Sequence, residues 1–303
     1  MKYLLGICIA AAAIATTACN STSSLINKAD NTAVIKGEYQ EAIKLYQQAL
    51  AKGGDASYIN AKIGEAYRKQ NKLAQAEPFY REAIAKENAT DTVLFGFAQA
   101  LKAVGKYEEA GAIFSRAASV TQNQELKTRA EFEATNAPKI AAMLGEKTDW
   151  EVINYGNLNT ASAEFSPVIF QKDLYFTSNR DNKNTYKGDG ETFYDLYSMK
   201  LEGKGSGKLS PLDAIVNLPG FMKASATFSK DGKMMVFAMS NEGNKKGRAN
   251  VDIFVSRKKS GKWSAPELLN ISHPGAWDSS PAFSPDGKSL YFSSDRPGGF
   301  GGA

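Results

Sequence analysis

Few side chains of this chain have a type and spacing that would support covalent or metal chemistry. His273 is the one histidine among 303 residues, so neither a histidine-rich zinc site nor a histidine pair can be built. A Ser-His-Asp hydrolase would have to use this residue, yet no Gly-x-Ser-x-Gly motif accompanies the Ser-His-Pro-Gly stretch that contains it. We therefore interpret His273 as a structural turn residue, and we predict no catalytic residue and no cofactor.

Cys19 is the second residue whose covalent chemistry matters. Lys2 precedes an apolar run of twelve residues, Leu4–Ala15, which is shorter than the roughly 20 that span a bilayer and fits a secretory signal. With residues 1–18 removed, Cys19 is the first residue and the only cysteine of the mature chain. This arrangement resembles a bacterial lipoprotein signal, although Thr16 stands where that family prefers leucine. The resemblance implies lipidation of Cys19; cleavage without lipidation is the alternative.

The resemblance also implies where the protein is held. Residues 20–24 are small and polar, as a flexible tether requires, and we assign residues 19–26 to this tether. No acidic patch follows Cys19, whereas surface-exported lipoproteins of Bacteroidetes often carry one. We therefore expect a lipid anchor in the outer membrane, with the protein on the periplasmic side.

Two further chemical features point to no definite ligand. The turn-rich loop at residues 181–191 carries acidic and amide oxygens of the kind that bind calcium, but it matches no EF-hand spacing. A solvated loop is the favoured interpretation, and calcium binding stays open. The net charge of +5 is spread along the chain, so we expect no nucleic-acid partner.

The elements that position these side chains begin with a helical repeat of 34 residues. Small and aromatic residues recur at that interval and lie on one helix face. The three series are Ala42, Ala76, Ala110; Tyr46, Tyr80, Phe114; and Ala49, Ala83, Ala117. Gly37, Asn71 and Gly105 recur at the turn, where a left-handed backbone is tolerated. The pattern predicts a helical domain over residues 27–120.

This pattern resembles the tetratricopeptide repeat, whose signature spacing is kept by Gly64, Tyr67, Ala76, Tyr80 and Ala83. Such repeats stack into a solenoid whose concave face binds a peptide or a partner domain. The family's groove positions, carried over to this chain, give six candidates: Tyr58, Glu65, Arg68, Phe95, Gln99 and Lys102. The alternative is a solvated face that packs only on the neighbouring domain.

A capping and linker region, residues 121–149, is expected to follow the repeats. It contains two predicted helices, Gln124–Thr135 and Pro138–Leu144, and the second is ended by Gly145. From about residue 150 the pattern changes to the alternation that is typical of strands.

The β region repeats as well. Asp-Gly dipeptides at 231–232 and 286–287 predict hairpins, and Asp-Leu-Tyr at 195–197 and Asp-Ile-Phe at 252–254 predict outer strands. Asn157, Asn217 and Asn270 mark the starts of units that each have room for four short strands, the size of a propeller blade. The segments 261–270 and 284–296 closely resemble PD40, or WD40-like, blades.

The predicted fold class is therefore a tetratricopeptide-repeat helical solenoid followed by a partial PD40/WD40-like β-propeller at residues 150–303. Two complete blades and part of a third are present. Because propellers close with 4 to 8 blades, and an open ring leaves a strand edge in water, we expect either a truncated chain or closure by another chain.

The order of these parts resembles PorE-like envelope lipoproteins of Bacteroidetes, which belong to the type IX secretion and gliding machinery. The resemblance implies a non-enzymatic interaction scaffold that binds envelope proteins through its solenoid and propeller surfaces. Relatives of this kind end in an OmpA-like domain, so peptidoglycan binding is expected only through a domain missing from this chain. The alternative is a regulatory or substrate-docking region of a propeller-containing enzyme whose catalytic domain lies beyond Ala303.

Overall fold

The computed structural model describes residues 22–85, 89–147, 149–156, 158–201, 207–240, 251–273 and 275–298. The predicted signal peptide, Cys19 and Asn157 lie outside these residues. The chain divides into two compact units. The helical unit comprises the residues up to Glu151 together with Lys187–Gly190, and the β-rich unit comprises Val152–Tyr186 and the residues from Glu191 onward. Within the described ranges, no helix combines the length and the apolar character needed to cross a bilayer.

Seven helices make up the helical unit within the described residues. They are α1 at 22–34, α2 at Tyr39–Ala51, α3 at Ala56–Lys69, α4 at Leu73–Ala83, α5 at Asp91–Ala103, α6 at Tyr107–Val120 and α7 at Gln124–Leu144. The turns before α2, α4 and α6 use Gly37, Asn71 and Gly105 with φ of 66°, 58° and 78°. This confirms the helical solenoid and its predicted left-handed turns.

The 34-residue interval determines the helical core. All members of the three predicted series are buried. Their small alanines allow close helix approach, while the aromatic residues fill the space between helices. Burial of one such aromatic side chain contributes about 2 kcal/mol. The periodicity seen in the sequence is therefore the periodicity of the packing.

The region after the repeats differs from the prediction, because α7 is one continuous helix rather than two. Pro138 lies inside it and offers no N–H to the carbonyl of Ala134. Gly111 of α6 faces this point: a Cβ there would lie 2.8 Å from Pro138 Cγ and 3.3 Å from the Ala134 oxygen. Since Gly111 has no side chain, α6 packs closely on the proline turn, and we attribute the continuity of α7 to this packing.

The β-rich unit consists of antiparallel sheets. Its strands are β1 Glu164–Phe170, β2 Asp173–Ser178, β3 Asp195–Lys200, β4 Leu209–Pro211, β5 Lys223–Phe228, β6 Met234–Ser240, β7 Val251–Lys259, β8 Lys262–Trp263, β9 Glu267–Leu268, β10 Asp278–Phe283 and β11 Leu290–Ser294. The first blade has the order β1-β2-β3-β4, the second β5-β6-β7-β8 with β9 also on β7, and the third contains β10 and β11. This confirms the partial β-propeller.

Each blade begins with the same irregularity. Ser166, Ser225 and Ser280 have φ of 51°, 55° and 51°, and the register of the first strand shifts at each of them. One extra residue is thereby accommodated as a β-bulge. The Oγ atoms of Ser166 and Ser225 lie 2.9 Å apart, so the bulges of adjacent blades also bond to each other.

Candidate peptide-binding groove

A cavity of about 610 Å³ lies between the first helices of two successive repeats, α3 and α5, with α4 beneath it. Its lining residues are Asp55, Ser57, Tyr58, Ala61, Lys62, Glu65, Arg68, Tyr80, Ala83, Ala89, Thr90, Thr92 and Val93. We call this cavity the groove. It is formed entirely within the helical unit.

The start of α3 aligns one side of the groove. The Asp55 carboxylate accepts hydrogen bonds from the backbone N–H groups of Ser57 and Tyr58, at 2.9 and 3.3 Å, and so caps the helix. From there, residues spaced three or four apart share one face. That face presents Tyr58, Ala61, Lys62, Glu65 and Arg68 to the groove.

Tyr80 of α4 forms the floor because two glycines leave room for its ring. A Cβ at Gly64 would lie 2.9 Å from the Tyr80 ring, and one at Gly96 would lie 2.6 Å from its hydroxyl oxygen. Gly96 stands one repeat after Lys62, so the side chain that α3 carries at this position is missing from α5. The absence of a side chain at Gly96 therefore leaves room for the phenol, which lies buried beneath the groove.

The charges in the groove are paired with each other. Arg68 donates to Glu65 through Nε and Nη2, both at 2.7 Å, and the Tyr80 hydroxyl donates to Glu65 Oε2 at 3.0 Å. Burial, the largest single influence, would raise the pKa of Glu65, but Arg68, Tyr80 and Lys69 together outweigh it, and the pKa lies below its ordinary value. Burial and the Glu65 charge raise the pKa of Tyr80. The floor of the groove is thus a neutral phenol beside a satisfied ion pair.

Tyr58 forms the rim at the end nearest α1. Its hydroxyl donates to Asp30 Oδ2 at 3.1 Å, and the Lys62 amine lies 5.3 Å from the centre of its ring. Burial, followed by the bond to Asp30, raises the pKa of Tyr58 to about 12. The ring is exposed but held in place, which makes it a rigid aromatic contact surface.

The other three candidates do not line the groove. Phe95 is only 8% exposed, and its ring lies 5.2 Å from that of Phe114 in an edge-on contact. Lys102 Nζ lies 2.7 Å from a carboxylate oxygen of Glu133, and the guanidinium of Arg129 lies 5.4 Å from the Phe95 ring. Since Glu133 and Arg129 belong to α7, this helix contacts the exposed side of α5. Phe95 is therefore covered by its neighbours and does not line this cavity.

Gln99 stands between Phe95 and Lys102 on α5. Its Oε1 atom is buried, and no hydrogen-bond partner is found for it within the described ranges. The structure therefore brings together Tyr58, Glu65 and Arg68 from the predicted set, and it adds Lys62 and Tyr80, which the sequence reasoning missed. The missed signal was the glycine at position 96.

The remaining chemical candidates lie in the β-rich unit. His273 is exposed, and its backbone N–H donates to Asp278 Oδ2 at 2.8 Å. In the loop at 181–191, Asn182 Nδ2 donates to Asp195 Oδ2 at 2.7 Å. Within the part of the chain that the structure describes, no three His, Cys, Asp or Glu side chains come together as metal ligands.

Comparison with known proteins bears on the helical unit. Residues 33–56 and 61–92 match a family model described as tetratricopeptide repeat. This segment carries tetratricopeptide repeats. Because such repeats stack into solenoids with extended binding surfaces, the helical unit is a protein-interaction module.

Solved structures that are similar to part of the chain include one of a secretion chaperone. It is the Yersinia enterocolitica type III secretion chaperone SycD, determined in complex with a peptide of the translocator YopD. The two are 20% identical, with a TM-score of 0.35, over 40% of this chain and 95% of the chaperone. No curated protein matches the chain.

Proposed function

We propose that this protein is a non-enzymatic interaction scaffold of the cell envelope, anchored through Cys19 to the periplasmic side of the outer membrane. The groove between α3 and α5 would bind an extended peptide segment of an envelope protein. The resemblance to type IX secretion lipoproteins favours a role in that machinery. The observation that carries the proposal is the groove itself, a cavity of about 610 Å³ in a repeat architecture that binds proteins.

The lining of the groove defines the kind of peptide that would fit. Ala61, Ala83 and Val93 supply apolar surface, while Tyr58 and Tyr80 place aromatic rings at the rim and floor. Pockets for small ligands measure about 300–1,000 Å³, so the groove has room for an anchoring side chain and its neighbours. Because Glu65 and Arg68 already neutralise each other, we expect an apolar or aromatic anchor rather than a strongly charged one.

Anchoring would make a modest affinity sufficient. A lipid on Cys19 would confine the groove to a thin layer at the membrane, where partners are also confined. Tethering of this kind raises the effective concentration into the millimolar range for short flexible linkers. Weak peptide contacts would then give stable assemblies.

Crosslinking in the native host tests the binding groove. A photo-crosslinking amino acid at position 61, inside the groove, is compared with the same residue at Ala74, an exposed position on α4 outside the groove. We expect position 61 to capture a discrete set of envelope proteins that position 74 does not. Equal capture at both positions would argue against the groove as the binding site.

Metabolic labelling with palmitate tests the anchor. We expect labelled protein in the native host and loss of the label in Cys19→Ala. Cys8→Ala is the matched control, because this cysteine lies inside the predicted signal and should not affect labelling. Label that survives in Cys19→Ala would contradict the lipoprotein assignment.

A further inference from the structure

We propose that one exposed face of α1 lies on the lipid headgroups of the membrane in which Cys19 is anchored. The inference rests on the proposed lipidation of Cys19 and adds the surface of the protein that meets the bilayer. We name this surface the α1 face. Its members are all exposed, and they are Ser24, Asn27, Lys28, Asn31, Val34 and Ile35.

The first step is the length of chain between the lipid and the fold. The predicted tether includes residues 22–26, but in the structure these residues form the beginning of α1. Only Asn20 and Ser21 therefore separate Cys19, which lies outside the described residues, from the helix. Because a chain spans at most about 3.6 Å per residue, Thr22 lies within about 11 Å of the lipidated residue.

The second step is that α1 is fixed to the helical core from its beginning. Thr22 is 8% exposed, and its hydroxyl donates to the carbonyl oxygen of Lys52 at 3.4 Å. Ala29 is fully buried, and Leu25 and Ile26 pack on the same core cluster. The beginning of α1 therefore moves with the whole helical unit and does not act as a flexible linker.

The α1 face runs along the helix away from the anchor. Residues three or four apart lie on the same side of a helix, and the members follow this spacing from Ser24 to Ile35. The 13 residues of α1 make it about 20 Å long at 1.5 Å per residue. Since the lipid holds one end of the helix near the bilayer, the face meets the headgroups when α1 lies along the membrane surface.

The chemistry of the α1 face fits a bilayer surface. Val34 and Ile35 are 74% and 76% exposed, so two branched apolar side chains stand in water at its far end. Lys28 is exposed on the face, and exposed Lys36 directly follows it. Anionic headgroups attract such lysines, while neighbouring apolar side chains enter the boundary between headgroups and acyl chains.

The single acidic residue of α1 does not oppose this contact. The carboxylate of Asp30 accepts hydrogen bonds from the hydroxyls of Tyr46 and Tyr58, so it is held against α2 and α3. The α1 face itself contains no acidic residue and is positively charged. An anionic lipid surface is therefore the occupant that its charge, its apolar pair and its closeness to Cys19 all favour.

Quenching by a headgroup-labelled lipid tests the contact. With Cys19 lipidated, the mature chain has no other cysteine, so Asn31→Cys on the α1 face carries the only free thiol for a dye. The matched control is the same dye on Lys44→Cys, an exposed position of α2. The lipoprotein, purified from its native host, is placed in phosphatidylethanolamine–phosphatidylglycerol vesicles that contain a lipid with a nitroxide on its headgroup. We expect position 31 to lose most of its fluorescence and position 44 to keep it.

The possible failures are distinguishable. Equal quenching at both positions would overturn the inference, because the helical unit would then move freely about its anchor. Quenching at neither position would also overturn it and would leave the α1 face to a protein partner. Protein whose mass shows no lipid on Cys19 would overturn the proposed anchor, and this inference with it.

Replacing the apolar pair gives a second readout. Val34→Ser combined with Ile35→Ser should reduce the quenching at position 31, because the lipid alone then holds the helical unit at the bilayer. Val120→Ser is the matched control, at an apolar position of α6 that is 47% exposed, and should leave the quenching unchanged. Since these side chains are largely exposed, we expect no change in Tm. Quenching that the double substitution does not alter would overturn the proposed contact.

Discussion

Replacing Gly96 with alanine tests whether an absent side chain shapes the floor of the groove. A methyl group on α5 would lie 2.6 Å from the Tyr80 hydroxyl oxygen and 2.8 Å from Cζ, well inside the optimum of about 3.5–4.0 Å. The buried ring cannot move without disturbing its hydrogen bond to Glu65. Overpacking costs about 1–3 kcal/mol and a lost bond to a charged group about 1.5–3 kcal/mol.

Helix propensity acts in the opposite direction, since alanine is favoured over glycine in a helix interior by about 1 kcal/mol. We therefore expect Gly96→Ala to lower the free energy of unfolding of the helical unit by about 2 kcal/mol or more. In a Tyr80→Phe background the shortest contact and the hydrogen bond are already gone. The same substitution should then cost at least about 1 kcal/mol less, a coupling that a double-mutant cycle resolves.

Urea unfolding followed by circular dichroism at the helix band measures both values. Gly145→Ala is the matched control, because a Cβ there meets only the oxygens of Ala142 and Ala141, at an ordinary 3.4 and 3.9 Å. We expect it to change stability by no more than about 0.5 kcal/mol. Gly96→Ala that is as stable as the native protein, or equally costly in both backgrounds, would refute the close packing of Tyr80.

Two other predictions concern buried charges. Lys223 is buried, and its amine lies 2.7 Å from the Asp195 carboxylate. Lys223→Met should therefore destabilise the β-rich unit by about 3–5 kcal/mol in thermal unfolding, whereas Lys230→Met, at an exposed position, should have no effect. Equal effects of the two substitutions would contradict the ion pair. Because the pKa of Glu65 is lowered in the native state, its ion pair stabilises the helical unit fully at pH values above the ordinary pKa of 4.5. This stabilisation is lost as the pH falls through the lowered native pKa. The loss of urea resistance between about pH 7 and pH 3 should therefore be smaller in Glu65→Gln, and an unchanged loss would count against this pairing.

Local features of the fold could be predicted because they repeat along the chain. The 34-residue interval identifies the buried series, since a helix face recurs wherever the same packing recurs. The Asp-Gly turns likewise predict the β5–β6 and β10–β11 hairpins, whose Gly232 and Gly287 have φ of 69° and 74°. In both cases the signal lies in residues close together in sequence.

The groove could be predicted only in part, because its shape depends on helices that are distant in sequence. Ala61 and Phe95 occupy the same position one repeat apart, yet the first lines the cavity and the second is buried. The difference comes from α7, whose Arg129 and Glu133 contact α5. Repeat spacing alone contains no information on which helix packs against that face.

The sequence by itself determined the helical repeat, the blade pattern and the turns, since each follows from periodicity and local backbone preference. Only the tertiary structure decided that Gly96 leaves room for the Tyr80 ring and that α7 passes through Pro138 without a break. Both outcomes depend on a missing Cβ on a neighbouring helix, at Gly96 and at Gly111, which allows a large side chain to approach closely. Such an approach is a property of two packed surfaces, and neither segment alone encodes it.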